Sequence, residues 1–427
     1  MKPENPERQE YLIEWLGAKG DGIAMHNGNK VHIPFTLPGE QVLAESTDSG
    51  KKYRLVSLIR SSPERIDPVC PLFTRCGGCS LQHMAEKSYR QFKEDQVRYQ
   101  LKRAGLPADI QPMIDAHGSG RRRVTFHARF GQKNAVSVGF MEAGSHNLIS
   151  IDSCPVLEPE IQKSASVAIH LAAYFRNKTK TLDIVIVNSQ SGLDVTLKGI
   201  GYLDEKQKLD LVAISRELDL ARLSNHDEIL VEIRSPIIFM GNSPLVLSPG
   251  AFLQASATGE KVLAEYAVKL THGAKKIADL FAGCGPFTLR LGHHADIHAV
   301  EGDAAMLRAL EQAARQTPDL RKISTEKRDL FKRPLLVSEI NNFDAIVLDP
   351  PRAGAEAQSR ELAKSDMERI VYISCDAQSF ARDAALLTTG GYHLETIIPV
   401  DQFRYSPHIE IISSFYKAKK KKRKLLG

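Results

Sequence analysis

The chain holds one tryptophan and six cysteines in 427 residues, and no apolar run approaches the ~20 residues that span a bilayer. A membrane-embedded role is therefore not expected. The opening MKPENPERQE lacks the apolar stretch of a secretory leader, so a cytoplasmic protein is expected. In that reducing compartment, metal ligation or catalysis is a better expectation for six cysteines than three disulfides. No internal repeat and no low-complexity segment precedes the C-terminal tail, so solenoids and disordered scaffolds are not indicated. An excess of one charge is also missing from the body. The net charge of +6 owes seven basic residues to Lys417–Lys424, and the remaining 50 basic residues face 51 acidic ones. Bulk charge thus gives no argument for a nucleic-acid partner. The tail suits phosphate contacts without sequence preference, and equally a solvated end. What is present is ordinary for a globular protein, 42% hydrophobic and 25% charged, with length for two or three cored domains.

The rest of the chain is best read from Val371-Tyr372-Ile373-Ser374-Cys375-Asp376. A β-branched and aromatic run reaches a lone cysteine and then a turn, which predicts a buried strand delivering a thiol to the C-terminal edge of a sheet. Open α/β sheets bind their ligands at that edge. Asp349-Pro350-Pro351-Arg352 ends the apolar run Ala345–Leu348, and Pro407-His408-Ile409-Glu410 puts a carboxylate 35 residues beyond the cysteine. A lone cysteine at a strand end is usually a small buried hydrophobe, but these neighbours favour chemistry.

Residues 11–60 alternate in short runs broken by Lys19-Gly20-Asp21-Gly22 and Leu37-Pro38-Gly39-Glu40, which predicts a small closed barrel of the OB type. The segment Asp21-Gly22-Ile23-Ala24 with the later Leu-Pro-Gly-Glu resembles a TRAM domain, an RNA-binding barrel. Next come Cys70, Cys76 and Cys79, with two glycines between the last pair. One loop with that freedom can wrap its thiolates round a single centre, and Cys154 is the candidate fourth ligand. Four thiolates suit zinc or a [4Fe–4S] cluster; a single C-x-x-C knuckle favours the cluster. Residues 82–104 read as an exposed helix. Arg121-Arg122-Arg123 before the alternating Val124–Phe130 suits a nucleic-acid surface, or a solvated strand face. A helix from Ala165 to Tyr174 and strands at 182–187, 229–233 and 236–240 continue an α+β pattern.

From Gly259 the chain alternates helix and strand. Lys276–Phe281 is a strand breaking into Ala282-Gly283-Cys284-Gly285-Pro286, and a helix starts at Phe287; Cys284 reads as packing. Glycines there let the backbone lie against a ligand at a helix N-terminus. Glu301 ends the next strand, 22 residues after Asp279, where a carboxylate accepts ribose hydroxyls. This much would equally suit a nicotinamide enzyme. Asp349-Pro350-Pro351 discriminates, because adenosylmethionine-dependent methyltransferases carry an acidic-Pro-Pro loop at this strand end. A cysteine then has a purpose: thiolate addition at carbon 6 of a uracil makes carbon 5 nucleophilic toward a methyl sulfonium. A base must afterwards remove the carbon 5 proton. Cys375 fits the nucleophile and Glu410 the base, and the target must leave its stack to reach them.

Taken together, the chain resembles the RNA (uracil-5-)-methyltransferase family, in particular its TRAM-bearing, cluster-containing 23S rRNA branch. The resemblance rests on the barrel, the C-x5-C-x2-C loop with a distant cysteine, Phe252-x-Gln254, D-P-P-R, S-C and H-I-E, in family order along nearly the whole chain. It implies a multidomain α/β protein. Residues 1–60 would form the OB-like TRAM barrel and 61–248 a central α+β domain with the iron–sulfur loop and an RNA-binding surface. Residues 249–416 would form a Rossmann-like class I methyltransferase domain, with a basic tail at 417–427. It further implies Cys375 as nucleophile and Glu410 as proton acceptor. Gln254, Phe281, Glu301, Asp329 and Asp349 would contact S-adenosyl-L-methionine, and Cys70, Cys76, Cys79 and Cys154 would hold a [4Fe–4S] cluster. The implied enzyme is a monomer acting on 23S rRNA. The rivals are a tRNA uridine-C5 methyltransferase and an inactive RNA-binding iron–sulfur protein. The chain departs from the family at Ala255 and Ser256, usually valine and asparagine, at Pro286, usually asparagine, and at Arg404-Tyr405-Ser406, usually Pro-x-Thr.

Overall fold

A computed structural model of the protein describes residues 8–47, 52–131, 135–176 and 181–418. Most of the basic tail lies outside the described residues. The N-terminal unit is all-β as expected, but its strands pair as two three-stranded sheets where one closed barrel was expected. One joins Arg8–Leu12, Gln41–Thr47 and Lys52–Arg60; the other joins Trp15–Leu16, Gly22–His26 and Asn29–Ile33. Alternation along the strands turns Tyr11, Val31, Ile33, Val42 and Ala44 into one shared core.

The middle of the chain builds a seven-stranded sheet with Arg123–Phe130 and Leu182–Ser189 near its centre. The helix Ser164–Tyr174 covers it, burying Val167, Ala168 and Leu171 against Phe126, Ile184 and Ile186. This α+β layout matches the sequence pattern.

The C-terminal unit is an eight-stranded sheet. Its strands run in the order Ile323–Lys327, Asp296–Glu301, Lys276–Leu280, Ala345–Leu348, Arg369–Ser374, Glu410–Tyr416, His393–Asp401, Ile114–Asp115. The first five are mutually parallel and Glu410–Tyr416 runs antiparallel between its neighbours. The fully buried Ile346, Val347, Ile370 and Val371 are apolar on both faces, as a helix-covered parallel sheet requires. Connections reverse direction at Lys276–Leu280, which opens a crevice at that strand's C-terminal end. This is the Rossmann-like arrangement expected.

Two segments from before residue 248 belong physically to this sheet. Ile114–Asp115 extends its edge, and the helix Glu86–Arg103 packs Tyr89, Phe92, Val97 and Leu101 into the core that holds Tyr372 and Phe380. The expectation of an exposed helix is therefore corrected: its polar composition hides an inward face, and Lys93 on that face is fully buried. Among the described residues no helix is long and apolar enough to cross a membrane.

Candidate active site

Four strand ends meet at the crevice. Lys276–Leu280 runs out into Phe281, which takes a left-handed φ of 60°, and then into Gly283 and Gly285 at 54° and 92°. At Gly285 the left-handed φ favours glycine, and a Cβ would stand 2.4 Å from the tip of Leu310, which would have to move. The carboxylate of Glu301 is pinned over this turn, accepting from the N–H of Gly283 and of Asp303, both at 2.9 Å. Arg328 donates its N–H to the Glu301 carbonyl, which brings the next residue, Asp329, to the same edge. Asp329 caps its own turn by accepting from the N–H groups of Phe331 and Lys332. The half-exposed Phe331 ring then lies 5.4 Å from that of Phe281. Phe281, Glu301 and Asp329 thus share one rim. Cys284 is buried as packing.

The second half of the crevice is set by strand register. Ser374 pairs with Ile411 and Val400 with Glu410, so Cys375, Glu410 and Asp401 arrive at one sheet edge. Asp349 continues Ala345–Leu348 onto the same edge, its N–H donating to the Leu280 carbonyl. One chain of side-chain hydrogen bonds crosses the site. Gln254 Nε2 donates to Asp349 Oδ2 at 3.1 Å, and Gln402 Nε2 donates to Gln254 Oε1 at 2.6 Å and to Glu410 Oε1 at 3.0 Å. Sequence reasoning passed over Gln402, because an amide after a strand carries no motif. Its one legible signal is its place beside Asp401 at the end of the strand that pairs with Glu410.

Burial sets the electrostatics. It raises the carboxyl groups of Asp349 and Glu410 well above the ordinary range, and Glu410 is raised further by the Asp349 charge. Burial, then the charges of Glu410 and Asp349, push the Cys375 thiol up to about 12. The resting site therefore holds a neutral thiol beside carboxyls that bind protons readily.

Helix Glu86–Arg103 braces the loop between the last two long strands. Lys93 Nζ donates to Asp401 and to the carbonyls of Phe403 and His408, at 2.5, 3.1 and 2.9 Å. Tyr89 donates its hydroxyl to Asp401 Oδ2 and accepts from the N–H of Tyr405. A buried lysine serving three oxygens is a positioning device, and no sequence motif marks it.

Cys70, Cys76, Cys79 and Cys154 line a single cavity of about 530 Å³, although 75 residues separate the last two in sequence. Burial raises the Cys76, Cys79 and Cys154 thiols, and the other cysteines of the set raise Cys79 and Cys154 further, so the four sulfurs feel one another. Among the described residues no three His, Cys, Asp or Glu side chains stand where they would hold a metal ion. The arginines expected to offer an RNA surface turn inward. Arg121 and Arg123 line this cavity, each with a buried Nε that has no hydrogen-bond partner. Arg122 is buried on Glu260 and donates its Nε to the Gln254 carbonyl. Phe126 is core, stacked on Phe140. The alternation that suggested stacking platforms reflects the inner face of the central sheet.

The family pattern's altered positions find local uses. Ser256 caps the helix Ala257–Leu270, accepting from the Gly259 N–H at 2.9 Å, and donates to the Ala116 carbonyl. The Pro286 carbonyl accepts from Arg290. Arg404 pairs with His117, and Tyr405 takes a φ of 62°.

A model of the tRNA (uracil-5-)-methyltransferase family matches residues 242–417. An uncharacterized RNA methyltransferase of Brucella suis is 40% identical over 410 residues, covering 96% of this chain and 98% of its own. The chain belongs to the RNA (uracil-5-)-methyltransferase family. The 23S rRNA (uracil(1939)-C(5))-methyltransferase RlmD of Aeromonas hydrophila is 29% identical over 429 residues, 97% of each chain. A tRNA (uracil-54, C5)-methyltransferase of Pyrococcus abyssi, solved with S-adenosyl-L-homocysteine, superposes with a TM-score of 0.72. That likeness, at 20% identity, covers 95% of this chain and all of the other, and it is a likeness of fold. As an RNA uracil C5-methyltransferase of the adenosylmethionine-dependent kind, this enzyme has its family match over the sheet that carries Cys375, Glu410 and Asp349.

Proposed function

We propose that the enzyme methylates carbon 5 of a uridine in 23S rRNA through a transient thioether at carbon 6. The observation that carries the reading is the strand register that sets Cys375 beside Glu410 at the edge shared with Asp349. The donor, S-adenosyl-L-methionine, supplies an electrophilic methyl group on a sulfonium. Phe281, Glu301 and Asp329 hold its nucleoside end at the glycine turn, and Gln254 and Asp349 hold the end nearer the reacting base. The Cys375 thiol releases its proton to solvent as its sulfur adds to carbon 6 of the uracil, and the electron pair moves to carbon 5 and the carbon 4 oxygen. Carbon 5 takes the methyl group, leaving S-adenosyl-L-homocysteine. Glu410 accepts the carbon 5 proton, the double bond re-forms, and the carbon–sulfur bond breaks to return the thiolate. A raised carboxyl suits the last proton transfer, since a base poised near the working pH is the more effective one.

The target class rests on the RlmD relative, which is 29% identical to this chain over 97% of each. The N-terminal unit of two three-stranded sheets is proposed as a TRAM module that grips RNA so that the target uridine can leave its stack. For the cysteines a [4Fe–4S] cluster fits better than zinc. A cluster is bound at its separate corner irons, so its ligands stand apart around a cavity, whereas a zinc ion needs four ligands converging at ~2.3 Å. The four cysteines line one cavity. The cluster would tie Cys154 of the central sheet to the loop from Cys70 to Cys79, and no catalytic step passes through it. The tRNA reading keeps a specific support, because the family model that matches residues 242–417 is described as tRNA (uracil-5-)-methyltransferase. Retention of both Cys375 and Glu410 speaks against the inactive RNA-binding alternative.

The deciding experiment is methyl transfer from labelled donor to unmodified 23S rRNA and to tRNA, with Cys375→Ala alongside. Label in 5-methyluridine of 23S rRNA, lost in the variant, is expected. Label in tRNA alone would overturn the substrate, and undiminished transfer by Cys375→Ala would overturn the nucleophile.

A further inference from the structure

One amide serves both halves of the crevice, and nothing in the family match or the motifs assigns it a task. Gln402 is 1% exposed and stands between the acidic residue of the D-P-P-R loop and that of the H-I-E element. Its Nε2 carries two hydrogens, and both are committed, one to Gln254 Oε1 and one to Glu410 Oε1. Hydrogen-bond valence dictates the consequences for the two partners. Gln254 has its acceptor oxygen occupied, so its own NH2 must face Asp349, as observed at 3.1 Å. Were the Gln254 amide turned over, an NH2 would oppose the Gln402 NH2 and an oxygen would oppose the Asp349 carboxylate. Glu410 has Oε1 occupied, and its Oε2 is buried without any hydrogen-bond partner. A lone buried carboxylate oxygen is costly unless something fills its valence. Here that oxygen is the one left free to take a proton.

The fold makes room for this arrangement. Gly259, in the first turn of the helix Ala257–Leu270, faces Gln402 so closely that a Cβ there would lie 2.7 Å from its Oε1 and 2.8 Å from its Cβ. Ser256 N–H also points to Gln402 Oε1, at 3.5 Å. On the other side, Lys93 and Tyr89 hold Asp401, the residue before Gln402. Gln402 is thus gripped on its backbone side by one helix and fitted against the start of another.

We propose that Gln402 is a positioning residue that presents Glu410 Oε2 as the only free oxygen of the base and locks the Gln254 amide donor-side toward Asp349. This inference rests on Glu410 being the proton acceptor. Because the Gln402 hydrogen bond favours the charged carboxylate, losing it raises the pH at which Glu410 becomes competent. Proton removal from carbon 5 then lags behind methyl transfer, and the methylated thioether between Cys375 and the RNA accumulates.

The test compares Gln402→Met, close in length and without a donor, with Gly259→Ala, which displaces an unaltered Gln402 while adding a good helix former. Glu410→Gln is run in parallel on the same full-length protein and RNA. Expected for Gln402→Met and Gly259→Ala are a ~10–100-fold slower single turnover, less than the ~10²–10⁴-fold of losing the base itself, and an acid limb of the pH–rate profile moved to higher pH. A protein–RNA adduct resistant to denaturing electrophoresis should appear, with donor affinity changed less than the turnover. Folded Gln402→Met with an unmoved profile and no adduct would overturn the proposal. If that variant does not fold, an unmoved profile in Gly259→Ala overturns it. If neither folds, Gln402 is a structural residue only and the proposal fails. Full activity in Glu410→Gln would instead overturn the base, whatever the other variants do.

Discussion

The N–H of Ser80 donates to the carbonyl of Tyr405 at 2.9 Å, and Leu81 donates to the same oxygen at 3.1 Å. The residue after Cys79 is thereby tied to the loop that ends at Glu410. These two hydrogen bonds give the cysteine loop a direct contact with the loop that leads to Glu410. Cys79→Ala is expected to lose bound iron, from on the order of four per chain for a loaded [4Fe–4S] cluster to near zero, and to slow methyl transfer. Iron and acid-labile sulfide assays check this, and undiminished iron would remove Cys79 from the ligand set.

Charge beside the nucleophile predicts a pH effect. Burial, then Glu410, then Asp349 hold the Cys375 thiol up near 12, so the thiolate fraction grows only as pH climbs above the usual thiol range. Glu410→Gln removes one of those negative charges and should lower the thiol pKa. Alkylation of Cys375 by iodoacetamide, read by peptide mass spectrometry, should therefore begin at lower pH in the variant. Turnover of that variant should nonetheless fall ~10²–10⁴-fold, the span of a lost general base. Alkylation that is unchanged or slower would contradict the assigned source of the shift.

Glu260 joins the central sheet to the catalytic unit. Its two oxygens take Arg122 at 2.5 Å and Arg290 at 2.8 Å, and all three side chains are largely buried. Glu260→Ala leaves Arg122 as a buried cation without its partner, which costs about 3–5 kcal/mol. A thermal melt of the variant should show a fall of several degrees or more. Because Arg122 also holds the Gln254 carbonyl, residual folded enzyme should turn over more slowly.

Ser256 replaces the family's asparagine yet still caps its helix. Ser256→Ala is expected to lose about 1 kcal/mol, the worth of a cap. Ser256→Asn, another good cap, tests whether the buried contact with the Ala116 carbonyl tolerates a longer side chain. Chemical denaturation of both variants separates capping from that contact. Equal stability of Ser256→Ala and the native protein would exclude a capping role.

Much of this was legible along the chain. The apolar runs Ala345–Leu348 and Val371–Ser374 could only be covered parallel strands, and the residue just past each run had to lie at the ligand-binding edge. Cys375, Asp349 and Glu301 were therefore readable from local pattern. Lys93 and Arg122 were misjudged for one reason. A charged side chain reads as solvated until its partner is known, and the partners Asp401 and Glu260 are 308 and 138 residues away. The N-terminal strands were foreseen, whereas their division between two sheets depended on pairings such as Arg8 with Glu45 that alternation does not encode.

Sequence alone determined the class of chemistry. A thiol, a carboxylate and an acidic-proline loop at strand ends need only period-two burial and the edge rule to be brought near one another. Tertiary structure decided which atoms of them are free. Gln402 takes one oxygen of Glu410 and the acceptor of Gln254, Gly259 leaves the space, and Lys93 holds the loop from behind. The physical reason is that periodicity sorts side chains by face, while hydrogen-bond valence is satisfied atom by atom among residues that only the packed fold brings together.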